Sequence, residues 1–121
     1  MLANYEFAVL QRFEHPNIVR VMQQYVHPGP ADLICIVQEL APGGELLGRI
    51  GPEGITPRSL GQPVLCGLAD ALQYLHTQHE LVHLDLKPEN ILLGAGDVVK
   101  LVGWLESENE SLRERKRVCV C

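Results

Sequence analysis

Residues 83–90 have the sequence His83-Leu84-Asp85-Leu86-Lys87-Pro88-Glu89-Asn90, and the apolar triplet Ile91-Leu92-Leu93 follows them directly. Pro88 lacks a backbone donor and has a fixed φ, so this stretch does not suit the middle of a regular element. We expect a rigid polar loop that leads into a short buried strand. Such a loop presents a carboxylate, an ammonium and a carboxamide together. These groups suit phosphoryl transfer, in which catalysis depends on positioning and on charge stabilisation.

Three side chains of this loop are candidate catalytic groups. Asp85 would orient the attacking hydroxyl, Lys87 would neutralise charge on the moving phosphoryl group, and Asn90 would hold a magnesium ion. The stretch closely resembles the catalytic loop of protein kinases, His-Arg-Asp-Leu-x-x-x-Asn, with lysine in the position that serine/threonine kinases favour. The alternative is a surface loop in which these residue types occur together by chance. Leu84 replaces the usual arginine, a feature similar to the myosin-light-chain, titin and Trio-like branch of the calmodulin-group kinases.

Composition and charge limit the class of protein. A chain of 121 residues, 46% of them hydrophobic, suits one globular domain at most. The net charge of -5 argues against a general nucleic-acid binder, and no apolar run approaches the roughly 18 residues of a membrane span. Cys35 and Cys66 lie in apolar runs and are expected in the core, and no cysteine has metal-binding spacing. We expect a cytoplasmic protein, with the nucleus as the alternative, that binds neither nucleic acid nor membranes.

The first part of the chain has the spacing of an amphipathic helix. Leu2, Val9, Leu10 and Phe13 share a face over residues 1–13, and Pro16 ends the pattern. The run 6–19 resembles the regulatory helix of a kinase small lobe and its His-Pro-Asn-Ile-Val exit. The resemblance implies that Glu6 is the ion-pairing glutamate of that helix, and a solvated helix charge is the alternative.

Two short β-prone runs, residues 18–22 and Leu33–Gln38, are separated by the turn-rich segment 27–30, and they predict an antiparallel pair. The residues that follow, 37–46, resemble the strand, gatekeeper, hinge and short helix that hold adenosine in kinases. The alternative is a plain turn at the two glycines of this run. The resemblance implies these binding residues: Gln38 as gatekeeper, the backbone of Glu39 and Ala41 at the adenine edge, and Glu45 at the ribose hydroxyls.

Residues 60–78 predict a long amphipathic helix, with apolar residues at positions 60, 64, 65, 68, 72 and 75. Thr56 can cap the helix and Pro57 suits its first position. Pro63 disfavours an earlier start, so we expect the regular helix to begin near Gln62 or to be kinked there. Further on, the turn 94–97 joins Ile91–Leu93 to residues 98–102 in a predicted hairpin. The resemblance places Leu92 as the floor beneath adenine.

The resemblance ends at the second metal ligand. Where kinases have the aspartate of Asp-Phe-Gly, this chain has Gly103-Trp104-Leu105, and glycine offers no side-chain oxygen. No Gly-rich loop, strand lysine or Ala-Pro-Glu motif occurs, so the resemblance implies a truncated catalytic domain. It implies ATP and Mg²⁺ as cofactors and a protein substrate or regulatory protein as partner. We expect the chain alone to be inactive, and the alternatives are a pseudokinase-like binding or regulatory module and a poorly folded product.

These patterns predict an α+β fold of partial kinase type. Residues 1–105 form the predicted domain, in which 1–41 are a small-lobe remnant with the hinge and 42–105 are the start of the large lobe. Residues 106–121 alternate acidic with small polar residues before a basic cluster. That composition predicts a charged, flexible tail.

Overall fold

A computed structural model describes residues 7–28, 33–52, 54, 61–83 and 86–102. Its strands and helix are β1 (Val21–His27), β2 (Leu33–Gln38), β3 (Gly44–Glu45), α1 (Gln62–Gln78), β4 (Ile91–Leu93) and β5 (Val99–Leu101). Short 3-10 turns lie at Leu46–Arg49, Pro88–Asn90 and Ala95–Asp97. The predicted α+β class is confirmed. Among the described residues, no helix combines the length and the apolar character needed to cross a bilayer.

The chain divides into two compact units. Of the described residues, the first unit contains 7–14, 20–28 and 33–40, and the second contains 15–19, 41–52, 54, 61–83 and 86–102. The chain therefore enters the second unit at His15, leaves it after Val19 and returns to it at Ala41.

In the first unit, residues 7–10 are helical and the helix tightens before it ends. The Arg12 N–H donates to the Val9 carbonyl at 3.0 Å, and the Phe13 N–H donates to the Leu10 carbonyl at 3.2 Å. Both bonds span three residues, which is the tighter pattern common at helix ends. Leu10 and Phe13 are buried, as the predicted face requires. Leu2 and Glu6 lie outside the described residues.

The strands β1 and β2 form the predicted antiparallel pair, with Tyr25 opposite Cys35 and an irregularity in register near Val21. The bounds predicted for the first strand, residues 18–22, are wrong, because β1 runs from Val21 to His27. Ile18 instead forms a parallel bridge with Leu101 in the second unit. Ile18 does not belong to β1 because its N–H donates to the His15 carbonyl in a turn. Cys35 is buried, as predicted.

In the second unit, α1 begins at Gln62, as predicted, with Pro63 in its first turn. Proline is tolerated there because the first N–H groups of a helix have no intrahelical partner. The inward face of α1 consists of Val64, Gly67, Ala71 and Leu75. Two expectations are wrong: Leu65 is 69% exposed, and Cys66 is exposed. Each residue turns the helix by about 100°, so both side chains point away from the face that begins at Val64. Thr56, Pro57 and Leu60 lie outside the described residues.

The second unit also contains a three-stranded antiparallel sheet in the order β3-β4-β5. The predicted hairpin of β4 and β5 is confirmed, and β5 is shorter than the predicted 98–102. The two-residue strand β3, which pairs with β4, was not predicted. Helix α1 packs on β5. Among the described residues, the largest fully buried side chains of the core are those of Leu75, Leu93, Val99 and Leu101.

Candidate functional site

The loop before β4 ends in the 3-10 turn Pro88–Asn90. The Asn90 N–H closes this turn on the Lys87 carbonyl at 2.9 Å. Asn90 is only 4% exposed, and each buried side-chain nitrogen or oxygen in the described part of the chain has a hydrogen-bond partner. In its described part, residues 86–90, the loop is therefore irregular and leads into a buried strand, as its sequence predicts.

A single residue, Val102, joins both ends of this loop. The His83 Nε2–H donates to the Val102 carbonyl at 2.8 Å, and the Val102 N–H donates to the Asn90 carbonyl at 2.9 Å. Because a carbonyl can only accept, the His83 proton lies on Nε2. His83 is 8% exposed, so its bond is largely shielded from water. The loop is thus held at its start and at its end by the residue directly before Gly103.

Of the predicted catalytic residues before the turn, the structure describes Lys87 but not Asp85. Lys87 is half-buried, with extended backbone at φ -153° and ψ 160°, and it directly precedes the turn. Asp85 lies outside the described residues, as does Gly103, so their predicted roles stay predictions.

Gln38 and Glu39, the predicted gatekeeper and hinge residues of the first unit, lie at the end of β2. Gln38 is the last residue of β2, opposite Val21, and it is half-buried. The Glu39 N–H donates to the Arg20 carbonyl at 2.9 Å, and the Glu39 Oε1 accepts from the Arg20 N–H at 2.8 Å. Glu39 therefore binds both backbone polar groups of Arg20, which holds the chain in place where it leaves the strand.

In the second unit, the strand β3 brings three predicted binding residues to one edge of β4. The Ala41 carbonyl accepts from the Gly44 N–H at 3.2 Å, and the Gly43 N–H donates to the Leu93 carbonyl at 2.7 Å. This turn places Glu45 opposite Leu92 in the sheet. The Pro88–Asn90 turn contacts both β3 and the Leu46–Arg49 turn. The Pro88–Asn90 turn and the predicted ribose and adenine residues of this unit are thus neighbours.

A family comparison agrees with this arrangement. The family model described as "Protein kinase domain" matches residues 2–118. The chain belongs to the protein kinase family. That family uses ATP and Mg²⁺ to phosphorylate proteins.

Serine/threonine kinases are among the relatives of this kinase chain. "Serine/threonine-protein kinase TIO" of Arabidopsis thaliana is 36% identical over 96 residues, which cover 79% of this chain and 7% of the relative. "Aurora/IPL1-related protein kinase 2" of Caenorhabditis briggsae is 31% identical over 116 residues, which cover 94% of this chain and 36% of the relative. "Calcium/calmodulin-dependent protein kinase type 1" of Macrobrachium nipponense is 37% identical over 92 residues, which cover 76% of this chain and 26% of the relative. The chain therefore spans well under half the length of each of these relatives.

Within the part of the chain that the structure describes, the oxygen donors do not make a magnesium site by themselves. Mg²⁺ prefers octahedral oxygen ligands, usually with one or two carboxylates. Asn90 contributes one carboxamide oxygen, and glycine at position 103 contributes no side chain. Across the described residues, no group of three or more His, Cys, Asp or Glu side chains could hold a metal ion.

Sequence reasoning missed Val102, which is an ordinary apolar strand residue in the sequence. Its role depends on backbone groups, and backbone groups leave no mark on residue type. The one signal available was its position directly before Gly103. The clamp of Glu39 on Arg20 was missed as well, because a glutamate after a strand is usually solvated.

Proposed function

We propose that this chain supplies the adenine-binding hinge and the catalytic loop of a serine/threonine protein kinase. Such an enzyme transfers the γ-phosphoryl group of ATP to protein hydroxyls. The observation that carries the proposal is the loop geometry: Asn90 is buried and joined through Val102 to His83. The serine/threonine kinases among its relatives support the serine/threonine class. The substrate is a protein, and the proposed compartment is the cytoplasm, with the nucleus as the alternative.

In this proposal the catalytic loop carries the chemistry. Asp85 orients the substrate hydroxyl and accepts its proton, and Lys87 stabilises charge on the transferred group. Asn90 is the candidate magnesium ligand. The half-buried position of Lys87 supports its role, because a partly desolvated ammonium interacts more strongly with phosphate than a solvated one does.

The hinge and the strand β4 would bind the nucleoside. The Glu39 N–H already donates to Arg20, so the carbonyl of Glu39 is the group that would accept from the adenine edge. The Ala41 carbonyl already accepts from Gly44, so the Ala41 N–H would donate to adenine. Gln38 would be the gatekeeper. Glu45 would bind the ribose hydroxyls, and Leu92, opposite it in the sheet, would form the floor.

We further propose that the chain alone transfers phosphate poorly. Gly103 stands where the family places its metal-binding aspartate, and the loss of one stabilising group in an active site commonly costs about a hundredfold or more in rate. The same residue favours a second candidate function, a pseudokinase-like module that acts by binding a regulatory protein. The proposed boundary of the kinase-like part is residue 105, and the proposed branch, myosin-light-chain, titin and Trio-like, rests on Leu84.

Calorimetry with ATP, with and without Mg²⁺, tests the proposal on the purified chain. We expect ATP binding that Mg²⁺ strengthens little, and a melting temperature that nucleotide raises only slightly. In Gly103→Asp we expect Mg²⁺ to tighten ATP binding by about tenfold, because a carboxylate joins Asn90. Gly48→Asp is the matched control, since Gly48 is exposed and a Cβ atom added there would meet no atom within 4 Å.

The calorimetric results distinguish the proposed nucleotide site from the binding-module function. Strong Mg²⁺-dependent binding by the unmodified chain would contradict the inactive assignment. A folded chain that binds no ATP in either variant would contradict the nucleotide site and leave the binding-module function. If Mg²⁺ tightened ATP binding equally in Gly48→Asp, the added negative charge would explain the gain, and a metal ligand at position 103 would not.

A further inference from the structure

The segment His15–Val19 is attached to the second unit by hydrogen bonds along its length. The Asn17 Nδ2–H donates to the Val99 carbonyl at 3.0 Å. The Leu101 N–H donates to the Asn17 carbonyl at 2.8 Å, and the Val19 N–H donates to the Leu101 carbonyl at 3.1 Å. The segment therefore lies along β5 as an extra, parallel edge. Its position depends on the turn that orients Asn17.

That turn is closed by the imidazole of His15. The Asn17 N–H donates to His15 Nδ1 at 3.0 Å. A backbone amide can only donate, so Nδ1 must be unprotonated and the neutral ring carries its proton on Nε2. The ring packs against Tyr74 of α1, with 5.0 Å between ring centroids. A proton on Nδ1 would face the Asn17 N–H, and the hydrogen bond would be lost.

The surroundings of His15, taken together, favour its neutral form in the fold. Burial lowers the pKa of His15 below its ordinary value of 6.5 and is the largest influence. Asp70 on α1 raises this pKa, and Lys100 on β5 lowers it. Because the folded pKa is the lower one, the unfolded chain binds the proton more readily. The stabilisation is therefore complete above the ordinary histidine pKa and decreases as the pH falls from there towards the lowered value.

We propose that His15 is a proton-sensitive latch, whose protonation on Nδ1 releases the segment His15–Val19 from α1 and β5. The proposal is independent of the kinase activity, since it concerns none of the residues assigned to nucleotide or substrate.

The ring hydrogen bonds described for His79 and His83 in the second unit persist when the imidazole is protonated. His79 Nε2 lies 3.0 Å from the Tyr74 hydroxyl, which can accept as well as donate, so a charged His79 keeps that bond. His83 already donates from Nε2 to a carbonyl, and a second proton on Nδ1 leaves the bond in place. Among the three histidines whose ring hydrogen bonds the structure describes, His15 is thus the one whose bond requires the neutral ring.

Hydrogen exchange of the backbone amides in the dilute full chain tests the latch. Exchange is followed between about pH 7.5 and about pH 5.5, on either side of the ordinary histidine pKa, and corrected for intrinsic rates. We expect protection of Asn17, Val19 and Leu101 to fall on acidification, by up to about tenfold for each pH unit once the ring titrates. In His15→Asn, whose side-chain oxygen accepts at every pH, the same amides should show no such fall. His79→Gln should retain the full response.

Three results would overturn the latch: no loss of protection in the unmodified chain, an equal loss in His15→Asn, or abolition of the response by His79→Gln. If His15→Asn does not fold, nitrogen NMR of the unmodified chain decides the matter. The imidazole of His15 should show an unprotonated Nδ1 near neutral pH, and the Asn17 amide shift should follow its titration. An Nδ1–H tautomer at neutral pH, or an Asn17 amide shift that does not titrate with His15, would refute the proposal.

Discussion

Gly67 lies on helix α1, closely packed against Val99 of β5 and against Asn17. A Cβ atom at this position would overlap Val99 Cγ1 and would lie 2.9 Å from Asn17 Nδ2. Val99 is buried and β-branched, so its side chain cannot turn aside easily. Alanine favours a helix over glycine by about 1 kcal/mol, but overpacking of a core commonly costs about 1–3 kcal/mol.

We therefore predict that Gly67→Ala lowers the free energy of unfolding by up to about 2 kcal/mol, although alanine is the better helix former. Chemical denaturation followed by circular dichroism measures the change. Ala69→Gly, at an exposed position of the same helix, measures the difference in helix propensity between alanine and glycine without a change in core packing. Gly48→Ala, with no atom within 4 Å of its added carbon, should be close to neutral. A stabilised Gly67→Ala would mean that the helix is less closely packed on β5 than the structure shows.

At the scale of elements, the short strand β3 depends on a glycine that approaches β4 closely. A Cβ atom on Gly43 would lie 2.7 Å from both the Cβ and the carbonyl oxygen of Leu93. That carbonyl is backbone and also accepts from the Gly43 N–H. The contact therefore cannot be relieved by a side-chain rotation, and the strand as a whole has to move.

We predict that Gly43→Ala separates β3 from β4 and destabilises the second unit by about 1–3 kcal/mol. Because Glu45 then loses its position opposite Leu92, any ATP affinity should fall more than stability alone explains. Unfolding and calorimetry on the same preparation measure the two effects, and Gly51→Ala, whose added carbon also meets no atom within 4 Å, is the control. Unchanged ATP affinity in a destabilised Gly43→Ala would remove Glu45 and Leu92 from the proposed site.

Local chemistry explains which elements were predictable. The bounds of β2 and the start of α1 follow from β-prone residues and from Pro63, and both agree with the structure. β3 has two residues, too few for any period to appear. The first strand was placed too early because Ile18 and Val19 resemble strand residues by type. Their hydrogen bonds, however, are made with a turn and with β5, far away in the sequence.

The site was predictable to the extent that it depends on side-chain type. The loop with Lys87, Pro88 and Asn90 was expected to be irregular and to precede a buried strand, and it does. The clamp through Val102 could not be predicted, since it uses only that residue's N–H and carbonyl. Leu65 and Cys66 were misplaced because apolar character alone does not fix which face of a helix is covered.

At the scale of the whole molecule, several large apolar side chains face solvent. Leu65 is 69% exposed, Val82 65% and Leu40 64%. Burying one such side chain is worth about 1.5–3 kcal/mol, against a net domain stability of about 5–15 kcal/mol. We expect these surfaces to promote self-association of the isolated chain.

We predict that Leu65→Gln reduces light scattering of the concentrated chain and changes the free energy of unfolding by less than about 0.5 kcal/mol. Leu75→Gln, on the fully buried face of the same helix, should instead cost several kcal/mol, because it places an amide in the core. Equal loss of stability in both variants would mean that Leu65 is covered in solution.

The hydrogen bonds of the second unit differ greatly in how much chain they enclose. The bond from His83 to Val102 closes a separation of 19 residues, whereas the bond from Asn17 to Val99 closes one of 82. The entropy of closing the longer loop in an unfolded chain is less favourable by about 1.3 kcal/mol. Contacts near in sequence also tend to form sooner. We therefore expect the hydrogen bond from His83 to Val102 to form early in folding, and the segment His15–Val19 to join β5 among the last steps.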